Sequence, residues 1–508
     1  MKYASIAAAI AAIDAKGTVT LLGDVTEDVT IPEGKAITLD LNGKKLTNKA
    51  SHTITNNGTL TVTDSIGGGV VDNITHAKAA LSNAVGATAT LEGGKFMRSK
   101  EAGKDGNNSG DNSYYTIENY GSMSFDSGAS VENTGHFSSM IRNGGKNTAE
   151  SPAKMTIKGG KFSGGINTIK NDDYGNLTIN NGDFDNTSQY VIMNWSKATI
   201  NNGTFKTSSK ATSAVLFNSS YGNDPADTGS LEVNGGTFTT NSADQPVLRN
   251  YYNANNTATF TVINNGIFNG DLVNESEHKG PLSVSGGTFT DPAVAKHLKS
   301  GKAILFNDGK YAVGDKDAVK GDATYSVTNT DGTVVYFTDA QAANDYAKES
   351  GAQAPEVLKV TVTFDSNQGT AVDSQLVAVG GKVAKPADPA KKGYTFSGWF
   401  TDKDCTKAYD FNAAVDNTQP EFTLYAGWKA AAPSTVQPGA GDNGNNSSAN
   451  ANVNVNTVNN NGDNAASEAK ATTVKTGDNL ALVGGAIAVI AVAAAGVAAF
   501  ALRRRKMN

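Results

Sequence analysis

The sequence predicts a mainly-β chain: a right-handed parallel β-helix followed by a small aromatic-rich module, a disordered linker and one C-terminal transmembrane helix. Two recurring phrases and the composition predict the solenoid. The phrase apolar-x-apolar-x-(Gly/Asn)-Gly-x-Phe ends at Phe96, Phe162, Phe184, Phe205, Phe238, Phe268 and Phe289, which lie 66, 22, 21, 33, 30 and 21 residues apart. The phrase apolar-x-Asn falls between them, at Ile54/Asn56, Ile117/Asn119, Ile141/Asn143, Ile169/Asn171, Ile192/Asn194, Leu216/Asn218, Leu248/Asn250 and Leu272/Asn274. Two markers on one period of about 21–22 residues, enlarged by insertions, are the mark of a repeat architecture. The 508 residues include 55 glycines and only 18% charged side chains, which argues against a helical bundle or a coiled coil.

Each unit reads as short strands of period two, such as Leu177-Thr178-Ile179 and Leu282-Ser283-Val284, joined by Gly/Asn corners. Such a unit cannot bury its apolar face alone. Stacking solves this, because each coil pairs with the next at ~4.8 Å and inward Ile, Val, Leu and Phe form one core. About a dozen coils between Gly17 and Phe289 would extend roughly 55–60 Å at that spacing. Asn119, Asn143, Asn171, Asn194, Asn218, Asn250 and Asn274 then sit at one corner and are expected to form a structural ladder, each amide bonding its copy in the next coil.

At the N-terminus, Ile6, Ile10 and Ile13 share one helical face. Residues 1–16 are therefore read as a helix capping the open end of the solenoid, which would otherwise expose apolar surface and unpaired amides. The competing reading is a short signal peptide. With a cap there, no export signal is visible, and the expectation is that the coding start lies upstream of Met1 or that the sequence is a fragment. The solenoid occupies 17–314, with a short helix and hairpin after Phe289 closing its far end, and 315–358 reads as a small αβ spacer. The insertions Glu101–Asn112 and Asn218–Ser230 lengthen single corners into loops, where binding commonly sits.

Composition narrows the chemistry. The net charge is −6, and residues from Thr473 onward carry +4, which leaves −10 on the rest and disfavours a nucleic-acid partner. The single cysteine, Cys405, excludes an internal disulfide framework, a Cys-based zinc site and a CxxC pair. No catalytic residue, metal site or cofactor is assigned. Asp172-Asp173 and Glu275/Glu277/His278 read as solvated charges in separate corners. Asp105, Asn107, Ser109 and Gly110 match the opening of an EF-hand loop, but Thr116 stands where its bidentate Glu belongs, so a polar insertion is expected.

Residues 359–429 contain VTFDSNQG, GGKV, KKGYTFSGWF, AYDF and FTLYAGW. Phe364, Tyr394, Phe396, Trp399, Phe411, Leu424 and Trp428 are expected to make an aromatic core, with Gly369, Gly393 and Gly398 in tight turns. This segment closely resembles the internalin B-type, or Listeria–Bacteroides, repeat. The resemblance implies a β-grasp-like module of bacterial surface proteins, serving as a stalk and in places as an adhesive unit.

Residues 430–472 shift to Ala, Asn, Gly, Ser and Pro, too polar to repay the entropy of folding, and read as a flexible linker. Leu480–Leu502 is an uncharged run of 23 residues, about 34 Å as a helix, against a ~30 Å hydrocarbon layer. Arg503, Arg504, Arg505 and Lys506 follow as a cytoplasmic stop. Val474, Lys475, Thr476 and Gly477 precede the apolar run, and this order resembles a Gram-positive sortase signal of the Leu-Pro-x-Thr-Gly type. Thr473 and Val474 replace the Leu and Pro of that pattern. The resemblance implies cleavage after Thr476 and its linkage to peptidoglycan within the 473–508 segment, while an uncleaved anchor would stay in the membrane.

The expectation is thus a cell-surface protein, anchored to wall or membrane, that binds a glycan or a host or bacterial surface without chemistry. Parallel β-helices also resemble pectate lyases, so a polysaccharide lyase or glycosidase stays open, as does a structural spacer or surface-layer component.

Overall fold

In the computed structural model of the protein, the described residues are 1–75, 77–99, 114–133, 139–220, 226–251, 260–275 and 281–432. The 101–112 insertion, most of the linker, Val474–Gly477, the 480–502 run and Arg503–Lys506 lie outside them. Among the described residues no helix is long and apolar enough to cross a membrane. The described residues fall into two compact units, residues within 1–363 with 373–385 and 410–423, and residues 364–372, 386–409 and 424–432.

Most of the first unit is a stack of parallel coils, each contributing strands to three ladders. The first ladder runs from Lys16–Thr20 to Leu282–Val284, and the second from Val25–Thr26 to Gly287–Phe289. The third runs from Val29–Ile31 to Leu272–Glu275. The first two ladders each hold eleven described strands and the third holds ten, close to the expected dozen. Ten steps at ~4.8 Å give about 48 Å along the stack.

Alternation places the core. In Asn176–Ile179 and Asp183–Asn186, residues at even spacing are buried, and Leu177, Ile179 and Phe184 join one apolar cluster shared by all coils. Insertions do not disturb the register, because they occur in corners: Phe205 still pairs with Phe238 across 33 residues, and Asn218 with Asn250 across 32. The phenylalanines stack face to face from Phe162 to Phe289, with centroids 4.7–4.9 Å apart. The glycine two residues before each ring has a physical reason. At Gly203 φ is +131°, and a Cβ would lie 3.0 Å from both the Phe205 ring and the Gly182 carbonyl.

The N-terminal helix, Ile6–Ala11, packs Ile6, Ala9 and Ile10 into the same cluster. Side chains of the coil beneath hold both ends. The Glu27 carboxylate accepts from the backbone N–H groups of Ile6 (2.9 Å) and Ala7 (2.8 Å), at the positive end of the helix dipole. Lys35 Nζ donates to the carbonyls of Ile10 (2.7 Å) and Ile13 (2.6 Å) at the other end.

At the far end, the hairpin Lys302–Asn307/Lys310–Asp315 pairs antiparallel with the last second-ladder strand, through Gly287↔Val313 and Phe289↔Tyr311. The 315–358 segment is not a detached spacer. Its strand Val334–Phe337 pairs in parallel with Lys302–Asn307, and its helix Ala340–Ser350 buries Ala343 and Ala347 in the common core.

The region from Lys359 contains two antiparallel strand pairs, residues 359–362 with 375–378 in the first unit and 394–400 with 425–430 in the second. Its described residues contain no helix. Phe364 and Trp399 are buried and meet edge to face, and Phe396 bridges Trp399 and Trp428. Tyr394 departs from the expected core: it is 47% exposed, because it opens its strand at the rim with Lys391 Nζ 4.9 Å from its ring. Gly398 is not in a turn either. It sits inside a strand at a bulge with φ +132°, where the pairing register shifts.

Candidate binding face on the third ladder

The apolar-x-Asn phrase builds the third ladder, and period two sends its outer residues inward and its middle residue outward. The inward asparagines are joined, and all but the terminal Asn274 are buried. Nδ2 of each donates to Oδ1 of the next from Asn56 through Asn83, Asn119, Asn143, Asn171, Asn194, Asn218 and Asn250 to Asn274, at 2.7–2.9 Å except for 3.3 Å between Asn218 and Asn250. The remaining donor capacity goes to corner carbonyls: Asn171 Nδ2 also reaches the Gly175 (3.1 Å) and Lys197 (3.0 Å) oxygens. The row spends its hydrogen bonds within the protein.

A second row was not anticipated. Asn201 Nδ2 donates to Asn180 Oδ1 (2.8 Å), Asn234 to Asn201 (2.9 Å) and Asn264 to Asn234 (2.8 Å), and the Ser285 hydroxyl bonds Asn264 Oδ1 (3.0 Å). This row is exposed and donates toward the N-terminal end, opposite to the buried one. The residue before each (Asn/Gly)-Gly pair carried the signal.

The outward residues in register are Ser82, Glu118, Arg142, Lys170, Met193, Phe217 and Arg249. Here the reading of Asp172-Asp173 as solvated charges is overturned. Asp172 has a side chain only 3% exposed and lies between two cations. Its Oδ1 accepts from Arg142 Nε (3.0 Å), while its Oδ2 accepts from Arg142 Nη2 (2.9 Å) and pairs with Lys170 Nζ (2.8 Å). Asp173 Oδ2 bonds the same Nη2 at 3.0 Å. Lys170 and Asp172 lie on one coil, and parallel stacking brings Arg142, about 30 residues earlier, beside both.

Backbone geometry fixes that corner. Asp173 (φ +43°) and Tyr174 (φ +60°) are left-handed, and a Cβ on Gly144 would fall 1.8 Å from the Asp172 carbonyl oxygen. The 218–230 insertion reaches back to it: Asp173 N–H donates to Asp227 Oδ1 (2.9 Å), and Tyr174 N–H to the Ala226 carbonyl (3.3 Å). Burial works against the charge on Arg142, but its bonds to Asp172 and the nearby acidic groups outweigh burial and raise its pKa. Burial likewise pushes the Tyr115 and Tyr120 hydroxyls well above the usual phenol range.

Aromatic rings border the charges. Arg142 lies over Tyr115 (5.4 Å), Lys146 over Tyr120 (4.7 Å) and Lys170 over Trp195 (4.7 Å), while Tyr190 and Phe217 stack at 4.6 Å. Trp195, Tyr190 and Phe217 are partly buried. Arg249 Nη2 and Glu275 Oε1, 3.8 Å apart, lie farther along the ladder, and Glu277 and His278 are outside the described residues. Among the described residues no group of three or more His, Cys, Asp or Glu side chains is arranged to hold a metal.

Residues 361–427 match the family model of the Listeria-Bacteroides repeat domain, about an eighth of the chain. A Gly-rich membrane protein of Evansella cellulosilytica is 36% identical over 74 residues, covering 15% of this chain and 8% of its own length. A second membrane protein of that organism is 37% identical over 73 residues, covering 14% of this chain and 11% of its own. The chain thus spans about a tenth of the length of these relatives. No solved structure matches the chain.

Proposed function

We propose that this chain is a bacterial surface protein whose solenoid binds a glycan or another surface component without chemistry. The observation that carries the reading is the third-ladder face. Arg142, Lys170, Asp172 and Asp173 neutralise one another there, beside the partly buried rings of Trp195, Tyr190 and Phe217. Flat rings beside fixed polar groups suit the alternating apolar and hydroxyl faces of a sugar. A carboxylate already bonded to a guanidinium and an ammonium is poorly placed to exchange protons with a substrate. The Listeria-Bacteroides repeat and the membrane-protein relatives support a location at the cell envelope.

The full chain on a glycan array, with products followed by mass spectrometry, tests this reading. Binding without product is expected, with affinity lowered about tenfold or more in Trp195→Ala. Shortened or unsaturated glycans would establish the lyase or glycosidase instead, and an empty array would favour a spacer.

Anchoring belongs to the same proposal. A sortase cysteine attacks the Thr476 carbonyl, breaks the Thr476–Gly477 bond to release Gly477 onward, and passes Thr476 to a peptidoglycan amine, after the apolar run 480–502 and the stop Arg503–Lys506 have held the chain in the membrane. In a sortase-bearing host, Thr476→Ala should move the protein from the wall to the membrane fraction. An unchanged distribution would remove the sortase from the account.

A further inference from the structure

His52 lies in the corner between the second and third ladders, and its imidazole is part of the joint with the coil above. The backbone N–H of Ala79 donates to His52 Nδ1 at 2.9 Å. That bond requires an unprotonated Nδ1, so the ring is neutral and carries its proton on Nε2. The other groups of the joint converge on the same residues. The Ala79 carbonyl accepts from Thr53 N–H (3.0 Å) and from Asn73 Nδ2 (2.9 Å), and Asn73 Nδ2 also reaches the Ser51 carbonyl (3.0 Å). Ala79 is fully buried, so its N–H has no ready access to solvent.

The surroundings set the response to acid. Glu118, from the third ladder, favours a charged ring, whereas Lys78 from the same corner as Ala79, Arg98 from the next coil and Lys146 from a later corner oppose it. Burial is the largest influence and holds the His52 pKa below the usual histidine value.

We propose that His52 is an acid-released latch: a proton taken from solvent by Nδ1 turns the acceptor into a donor, ejects the Ala79 N–H and frees corner 73–79. The corner is tied to residues 97–99 of the next coil. Asn73 N–H donates to the Met97 carbonyl (2.9 Å). Ser99 is held through its N–H (2.8 Å) and hydroxyl (2.6 Å) by the carboxylate of Asp72, next to Asn73. Release of the latch therefore loosens the hold on residues 97–99 and leaves the apolar core untouched.

The sign follows from linkage. A histidine whose folded pKa is depressed contributes stability that is present above its unfolded pKa of about 6.5 and is lost as pH falls toward the folded value. Hydrogen exchange of the full chain, read by mass spectrometry on a peptide covering 73–81 and corrected for intrinsic rates, tests the latch. Between pH about 7.5 and about 5, protection there should fall by up to about tenfold per pH unit within the titration window, while core peptides such as 176–186 hold. His52→Asn places a side-chain oxygen near the position of Nδ1 and accepts at every pH, so it should abolish the pH dependence. Equal pH dependence in wild type and His52→Asn would overturn the proposal. So would loss of protection at both pH values in His52→Asn, which would show that ring shape, not protonation, holds the corner.

Discussion

Phe205→Ala should lower the unfolding free energy by about 3–5 kcal/mol, the range for truncating a buried aromatic side chain. Phe205 is fully buried and stacks on Phe184 (4.7 Å) and Phe238 (4.8 Å), so the cavity opens against both neighbouring coils at once. In a stacked repeat, stability is carried by nearest-neighbour interfaces, and weakening two of them mid-stack also erodes cooperativity. Urea unfolding of the full chain followed by circular dichroism would show a lower midpoint and a broader or split transition. Phe205→Leu retains much of the volume and should cost less, about 1–2 kcal/mol. A midpoint that does not move with Phe205→Ala would mean that the ring column is incidental to stability.

Asn171→Asp is the second large effect, and its pH dependence separates it from simple loss of packing. Asn171 Oδ1 accepts from Asn143 Nδ2 (2.8 Å), and Asn171 Nδ2 donates to Asn194 Oδ1 and to two corner carbonyls. An ionised carboxylate in its place would face three acceptors from a fully buried position. The expected penalty at neutral pH is about 3–5 kcal/mol, comparable to leaving a buried charge uncompensated. Because the folded state would disfavour the ionised form, the new carboxyl has a pKa raised above its unfolded value of about 3.9. The penalty is therefore fully present above the raised folded pKa and shrinks as pH falls from there toward 3.9. Unfolding series at pH about 7 and about 4.5 would show partial recovery relative to wild type. Equal destabilisation at both would mean that the ladder can re-pair without a donor at this position.

Between them these substitutions probe the two columns that the sequence made legible. The Phe and Asn markers could be read because each is local: a period-two strand decides which side chains face inward, and a residue repeated every 21–22 positions must align once coils stack. The inward columns rest on that reasoning, and the N-terminal cap read over 1–16 rests on the helical spacing of Ile6, Ile10 and Ile13, of which the helix itself occupies Ile6–Ala11. The exposed row Asn180, Asn201, Asn234 and Asn264 carried the same period and could have been read from the residue before each (Asn/Gly)-Gly pair.

Other features had no local signal. Segment 315–358 looked separate because nothing in its sequence announces the parallel pairing of Val334–Phe337 with Lys302–Asn307, a contact between strands about 30 residues apart. Tyr394 and Trp399 both looked like core aromatics. Only the strand's rim position and the bulge at Gly398 distinguish the exposed ring from the buried one.

The amino-acid sequence by itself determined the coil period, the inward-facing residues and the presence of a Listeria–Bacteroides-like segment, because these depend on strand alternation and on contiguous motifs. Tertiary structure alone decided that Arg142 joins Lys170 and Asp172, that Glu27 and Lys35 grip the two ends of a helix more than ten residues earlier, and that His52 receives the Ala79 N–H. The physical reason is the stacking itself. It places residues one coil apart within ~5 Å whatever the length of the corner between them, so the pairing of side chains follows ladder register and not distance along the chain.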